Sequence, residues 1–213
     1  MGYGIGMIMN IAHFVIRKLQ FSMFTGMVRA MSVAEDLNYW NVATEKIKMG
    51  KRSSFPRIKK DFYPSPYKAV IPLLNHLPDS VRYEEPCCGK DDLVNHLKLF
   101  GHICIKKGDI ITGQDALDIT DTQADYFITN PPWKWQILNL LIIHLSNIQK
   151  TWLLLNADVM HNKRMSKHMK YCQKIVSVGR VSWMGNSVNG YENCAWFLFN
   201  QKCKHKTIFI PRI

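Results

Sequence analysis

From Asp61 onward, short apolar runs alternate with stretches whose apolar residues recur at helical spacing. The runs predict strands at Arg82–Glu85, His102–Lys106, Asp125–Thr129, Thr151–Asn156, Ile175–Val181 and Cys194–Asn200, with a fainter one near Ala116–Ile119. Between them the pattern predicts helices at Pro66–Leu77 (with proline at its start), Asp92–Phe100, Gln136–Ile148 with an apolar stripe, and Lys163–Cys172, which is basic. Strand–helix alternation of this kind implies a parallel sheet with right-handed crossovers. The last two strands flank a Gly/Asn-rich loop at 185–190 and should close the sheet as an antiparallel pair. The expected fold is α/β: a mostly parallel seven-stranded sheet, helices on both faces, and an antiparallel last strand.

The first part of the chain departs from this pattern. Residues 1–50 are rich in methionine and poor in turn signals, and predict two helices at about 8–20 and 33–48. Lys51–Lys60 reads as a basic linker broken by Ser53, Ser54 and Pro56. The expected organisation is therefore an extension and linker over 1–60 and one domain over 61–213. A chain of 213 residues with 47% hydrophobic content has enough apolar material for such a core. Ile5–Ile16 is apolar but is followed, not preceded, by Arg17 and Lys18, and is too short to cross a bilayer. Neither a signal peptide nor a membrane anchor is expected, which implies a cytoplasmic location.

Charge sharpens the picture through its distribution. The net charge is +12, yet from Asp79 to Asp125 ten acids face five bases. Thr151–Ile213 carries ten Lys and Arg against Asp158 and Glu192 alone, and a second basic run spans Lys46–Lys60. An acidic centre between basic flanks suits a small cationic ligand in the middle and a polyanion nearby. Lys163, Arg164, Lys167 and Lys170, with Lys51 and Arg52, are the candidate polyanion contacts. The six cysteines show no CxxC spacing, so neither a zinc site nor a disulfide framework is expected, and no metal.

Two constellations carry the chemistry. Asn130-Pro131-Pro132-Trp133 directly follows a predicted strand. Two prolines fix the backbone there and remove two amide donors, at the strand end where open α/β sheets bind ligands. The Asn130 side-chain oxygen and the Pro131 carbonyl are two acceptors suited to an NH₂ group, and Trp133 offers a flat face to a planar base. The second constellation runs from Tyr83 to Leu93: strand, acid, Pro86, the small residues Cys87 and Cys88, Gly89, then helix. Such a turn admits a ligand close to the backbone, and Glu85 at the strand end would attract a cation. Asp109 stands beyond the next strand, where a carboxylate can bind ribose hydroxyls. Asp115 can accept from an adenine amino group.

Taken together, these segments resemble the amino-group methyltransferases with an (Asn/Asp/Ser)-Pro-Pro-aromatic motif, especially the small N6-adenine DNA methyltransferases of phages and prophages. The resemblance covers about residues 60–200, with all elements in family order. It implies a Rossmann-like methyltransferase fold and S-adenosyl-L-methionine as cofactor. Phe62, Tyr63 and Pro66 fall in the segment that touches the methionine part. Glu85, Pro86, Cys87 and Gly89 match the cofactor loop, Asp109 with Ile110 the ribose site, and Asp115 with Ala116 the adenine site. Asn130, Pro131, Pro132 and Trp133 match the catalytic motif, with Asn130 also touching the cofactor. The family's second loop glycine is replaced by Asp91, which adds bulk and negative charge, and Lys90 precedes it. Only 45 positions separate Glu85 from Asn130 (130 − 85), leaving no room for a recognition domain between the motifs.

The implied reaction is direct methyl transfer from the sulfonium to an amine whose protons are held by Asn130 and Pro131. A base inside a duplex would have to be flipped out and stacked on Trp133. The resemblance implies nucleic acid, foremost DNA, as partner. Guanine in RNA and the glutamine amide of proteins are alternative acceptors, and a non-catalytic relative that binds cofactor or nucleic acid is a third reading. Neither Asn130 nor Trp133 is expected in the apolar core.

Overall fold

The computed structural model describes residues 63–184, 190, 192–202 and 206–212. All of them belong to one compact unit, Lys51–Ile213. The helices expected near 8–20 and 33–48, the linker, Phe62 and most of the Gly/Asn-rich loop lie outside the described residues.

Seven strands form a single sheet: β1 (Arg82–Glu85), β2 (Ile103–Lys107), β3 (Tyr126–Thr129), β4 (Thr151–Asn156), β5 (Cys172–Gly179), β6 (Cys194–Phe199) and β7 (Ile208–Ile210). Their spatial order is β2-β1-β3-β4-β6-β5-β7. β1 pairs in parallel with β2 and β3, and β3 with β4. β6 runs antiparallel to both β4 and β5, and β7 lies parallel to β5. The expected antiparallel pair is present, and the last strand read from the sequence is the antiparallel one. The fold is the mostly parallel α/β arrangement expected.

Two expectations need correction. The stretch at Ala116–Ile119 is no strand: Ala116–Asp118 form a 3₁₀ turn, because the Asp115 side chain accepts from the Leu117 amide at 2.9 Å and caps it. The seventh strand is instead β7, whose apolar run of Ile208, Phe209 and Ile210 is too short to read as a strand from the pattern alone. The basic helix expected at Lys163–Cys172 is also broken. Lys163–Met165 form a 3₁₀ turn, α4 is only Ser166–Met169, and Cys172 already belongs to β5. Lys163 and Lys167, four apart, and Lys167 and Lys170, three apart, would stack like charges on one helix face, which disfavours a long helix.

The remaining helices are α1 (Tyr67–Leu74), α2 (Asp92–Lys98) and α3 (Trp135–Ile148). Alternation along β4 shows how they sandwich the sheet. Trp152 and Leu154 join the core beneath α1 and α2, with Ala69, Leu73, Leu93 and Leu97. Leu153 and Leu155 point the other way, towards Leu138 and Ile142 of α3. α1 is tied down by the buried Trp196 indole, which donates to the Ala69 carbonyl at 2.7 Å. β5 ends where Gly179 takes φ +81°, and a Cβ there would lie 2.7 Å from Arg212 Nη1. The chain leaves β1 for β2 on one side and returns to β3 on the other, so the topological switch point lies between the ends of β1 and β3.

Candidate active site

At that switch point a cavity of about 760 Å³ opens, within the range of about 300–1,000 Å³ usual for small-molecule sites. Of the residues singled out in the sequence, Tyr63, Glu85, Pro86, Cys87, Gly89, Asp109, Ile110, Asp115, Ala116, Asn130 and Pro132 line it. Pro66, Pro131 and Trp133 do not. Pro66 caps α1, and Pro131 is buried behind the wall. Cavity-lining residues that the sequence did not single out include Ser65, Lys134, Ile137 and Leu141. Ile137 and Leu141 follow from helix α3, whose first turn forms one wall.

Glu85 ends β1 inside this cavity and is 1% exposed. Its Oε2 has no hydrogen-bond partner. Burial, reinforced by the carboxylates of Asp91, Asp92 and Asp109, holds the Glu85 carboxyl well above the usual carboxylate range. Asp92, Asp109 and Asp115 stand on the same cavity wall, with Lys90 among them. A cation entering here gains from all four acids and supplies the partner that Glu85 lacks.

Asp109 is a structural clasp as well as a candidate ligand. Its Oδ2 accepts from the Gly89 amide at 2.9 Å and its Oδ1 from the Ile111 amide at 2.8 Å. One carboxylate thereby fixes the loop after β1 to the loop after β2, and each oxygen keeps a second lone pair. Further stitches run from Gly108 N to Glu85 O and from Cys88 N to Gly108 O, both at 2.9 Å. Burial pushes the thiols of Cys87 and Cys88 in this loop up to about 12, which favours the protonated thiol.

Asp91, the departure from the family pattern, sits at φ +68°. The position demands left-handed backbone, which glycine takes freely and Asp tolerates at about 1–2 kcal/mol. Its carboxylate pairs with Lys107 on β2 and does not line the cavity. The added carboxylate is thus paired outside the cavity, although its field still reaches Glu85.

Asn130 leaves β3 half-buried. Its Nδ2 donates to the Tyr63 carbonyl at 3.3 Å. With the nitrogen engaged, the amide oxygen remains as the acceptor available to a ligand. Trp133 departs from expectation. Its indole N–H donates to the Leu154 carbonyl at 3.0 Å, and its ring packs against both principal core clusters. It is therefore a core anchor as well as part of the motif. Trp183, which the sequence did not single out, stands edge-on to Trp133 at 5.5 Å and to Tyr63 at 6.2 Å. These three rings gather beside Asn130. No pairwise sequence signal joins residues so distant along the chain.

Among the described residues no cluster of three or more His, Cys, Asp or Glu is arranged to hold a metal, and no helix is long and apolar enough to cross a membrane. No protein-family model matches the chain, and no curated protein matches it. Solved structures do resemble it. A proposed RNA methyltransferase from Pyrococcus horikoshii shares 14% identity at a TM-score of 0.46, over 75% of this chain and 94% of that one. A proposed class I S-adenosylmethionine-dependent methyltransferase from Listeria monocytogenes shares 11% at 0.48, over 74% and 68%. The modification subunit of a proposed type I restriction enzyme from Vibrio vulnificus shares 12% at 0.47, over 70% and 46%. At these identities the likeness is one of fold. The strand order and switch-point cavity described above are those of an open, mostly parallel α/β sheet.

The site yields two stability predictions. The raised Glu85 carboxyl binds its proton more tightly in the folded chain than in the unfolded one. Folding stability is therefore lost as pH rises from the ordinary carboxylate range through the folded value, and is unaffected below it. Glu85→Gln removes that loss. Its Tm advantage over the ligand-free wild type should be small near pH 4 and widen as pH rises; an advantage that stays flat or reverses would place a compensating partner on Glu85. Trp133→Ala should cost about 3 kcal/mol, a fall in Tm of roughly 6–12 °C. Calorimetry finding Tm within a degree of wild type would return Trp133 to the surface.

Proposed function

We propose that this chain is an S-adenosylmethionine-dependent methyltransferase acting on an exocyclic amino group, with N6 of adenine in DNA as acceptor. The observation that carries the reading is the pairing, in one cavity, of an unpartnered buried carboxyl at Glu85 with an oriented amide at Asn130.

The acidic wall fits a cofactor that bears both an ammonium and a sulfonium, and Glu85 is the group that would meet a positive charge. Lys90 at the same wall is placed to pair with the cofactor's carboxylate. Asp109, with the spare lone pairs of its two oxygens, would take the ribose hydroxyls. Asp115 and Ala116, with Ile110 across from Ile137, would frame the adenine ring between a carboxylate and apolar side chains. When bound, the cofactor supplies an activated methyl group on sulfur.

The chain's own task is to present a nucleophile to that methyl. An aromatic amine delocalises its lone pair into the ring and attacks poorly. The Asn130 oxygen would accept an amine proton and favour a pyramidal nitrogen. That interaction is strongest as the new bond forms, so it lowers the barrier more than it tightens binding. The rings of Tyr63, Trp133 and Trp183 would border the base. The basic segments flanking the acidic centre support a polyanionic acceptor over a neutral protein amide.

Asn130→Ala tests this directly. It deletes the acceptor without touching the acidic wall. Turnover on adenine-containing DNA should fall by about a hundred- to a thousand-fold, while cofactor affinity by calorimetry stays close to wild type. Methyl transfer persisting near the wild-type rate would mean that this motif does not grip the amine.

A further inference from the structure

The basic residues that follow β4 do not act as one patch, and the topology divides them. β4 and β5 run in the same direction, each antiparallel to β6, with Thr151 and Cys172 both opposite Phe199. The chain leaves β4 at the cavity edge of the sheet and must travel its full depth before β5 begins. Lys163 and Arg164 lie midway along that path, after the turn at Ala157–His161. Lys170, immediately before Tyr171 and β5, lies at the far edge, where its ammonium sits 5.1 Å from the Tyr171 ring.

Arg164 is set apart from its neighbours by how it is held. Its guanidinium lies over the Trp135 ring, 4.5 Å from the centroid. Trp135 begins α3, two residues beyond Trp133, and directly follows Lys134 on the cavity wall. The Trp135 ring is itself fixed. It packs on the same core cluster as the fully buried Met165, and the ring of His168 meets it edge-on at 5.9 Å. His168 is 2% exposed, and its Nε2 lies 3.1 Å from Asn139 Oδ1, one turn along α3. Desolvation pulls the His168 pKa down to about 4, so at neutral pH it is an uncharged wedge that does not repel the arginine. Among the described residues the one ion pair is Lys107–Asp91; Arg164 is exposed with no carboxylate partner there.

We infer that Arg164, stacked on Trp135, is a phosphate-binding site beside the catalytic motif, taking a backbone phosphodiester of the nucleic acid that carries the target base. Guanidinium stacking on an aromatic face leaves the edge N–H groups free for the bidentate contact that phosphate favours. An arginine already held in place loses little further freedom on binding. Lys134 on the cavity wall is a point charge that adds attraction without register. The inference rests on the proposed nucleic-acid acceptor and adds to it the residue that positions the strand.

The test is anisotropy of a short labelled DNA duplex with the full chain, titrated between 50 and 200 mM salt, with steady-state methylation of the same duplex. Arg164→Ala should weaken binding about tenfold and reduce the slope of log K against log salt by about one, with the loss appearing in KM more than in kcat. Arg164→Lys and Trp135→Leu keep the charge and lose the stacked geometry. Both should weaken binding while retaining the wild-type slope. Because Arg164 is exposed, its variants test the contact independently of any unfolding in Trp135→Leu. If the wild type methylates DNA and Arg164→Ala binds it with wild-type affinity and slope, the phosphate site is refuted and the acceptor reading stands. If the wild type methylates a glutamine-bearing peptide and neither binds nor methylates nucleic acid, the acceptor reading fails and this inference with it.

Discussion

A carboxyl group without a partner, buried at the end of a parallel strand, is the constraint on which the rest of this molecule turns. Glu85 closes β1 at 1% exposure with one oxygen unbonded. Nothing in folding requires this, and an apolar residue there would make a more stable sheet. The surroundings deepen the demand: Asp92, Asp109 and Asp115 converge on the same cavity from the ends of neighbouring elements. β1 is held by parallel pairing on both sides, to the edge strand β2 and to the buried strand β3. A cationic ligand would resolve the conflict, and the cost of burying the Glu85 carboxyl would be returned as affinity.

The opposite wall is built on the opposite principle. At the end of β3 the side-chain donors of the Asn130–Trp133 motif are engaged within the chain. The Asn130 amide nitrogen is taken by Tyr63, the Trp133 N–H by Leu154, and the prolines contribute no donor. What remains is one oxygen of defined direction. On the proposed function, an under-satisfied wall would serve the charged ligand and the Asn130 oxygen the amine, dividing the labour between affinity and rate.

Much of this was legible in the sequence. Runs such as Trp152–Leu155 and Cys194–Phe199, buried on both faces, read as central strands, and the acid, glycine loop and Pro-Pro motif fall between such runs. What was not legible has physical causes. Asp115 caps its own turn and so overrides the apolar pattern that suggested a strand at 116–119. The stretch after β4 has helical composition, but it must cross the depth of the sheet while separating like charges, so it breaks into two short turns. Asp91 looked like an obstacle because a sequence shows its charge and hides its φ of +68° and its partner Lys107. Trp133 looked like a free stacking surface because its bond to Leu154 joins strands that only the fold brings together. Trp183 gave no signal at all, since its meaning comes from two rings far away in the chain.

The central claim is that a methyl group passes to an exocyclic nitrogen, and one measurement reaches it without any intermediary. The chain is incubated with S-adenosylmethionine carrying a deuterated methyl group and with adenine-containing DNA, RNA and glutamine-bearing peptide together. The hydrolysed products are then separated by mass spectrometry. The account predicts label on N6 of adenine from DNA, absent when Asn130 is replaced by alanine. Label on a ring carbon or an oxygen, or label that survives that replacement undiminished, would contradict it.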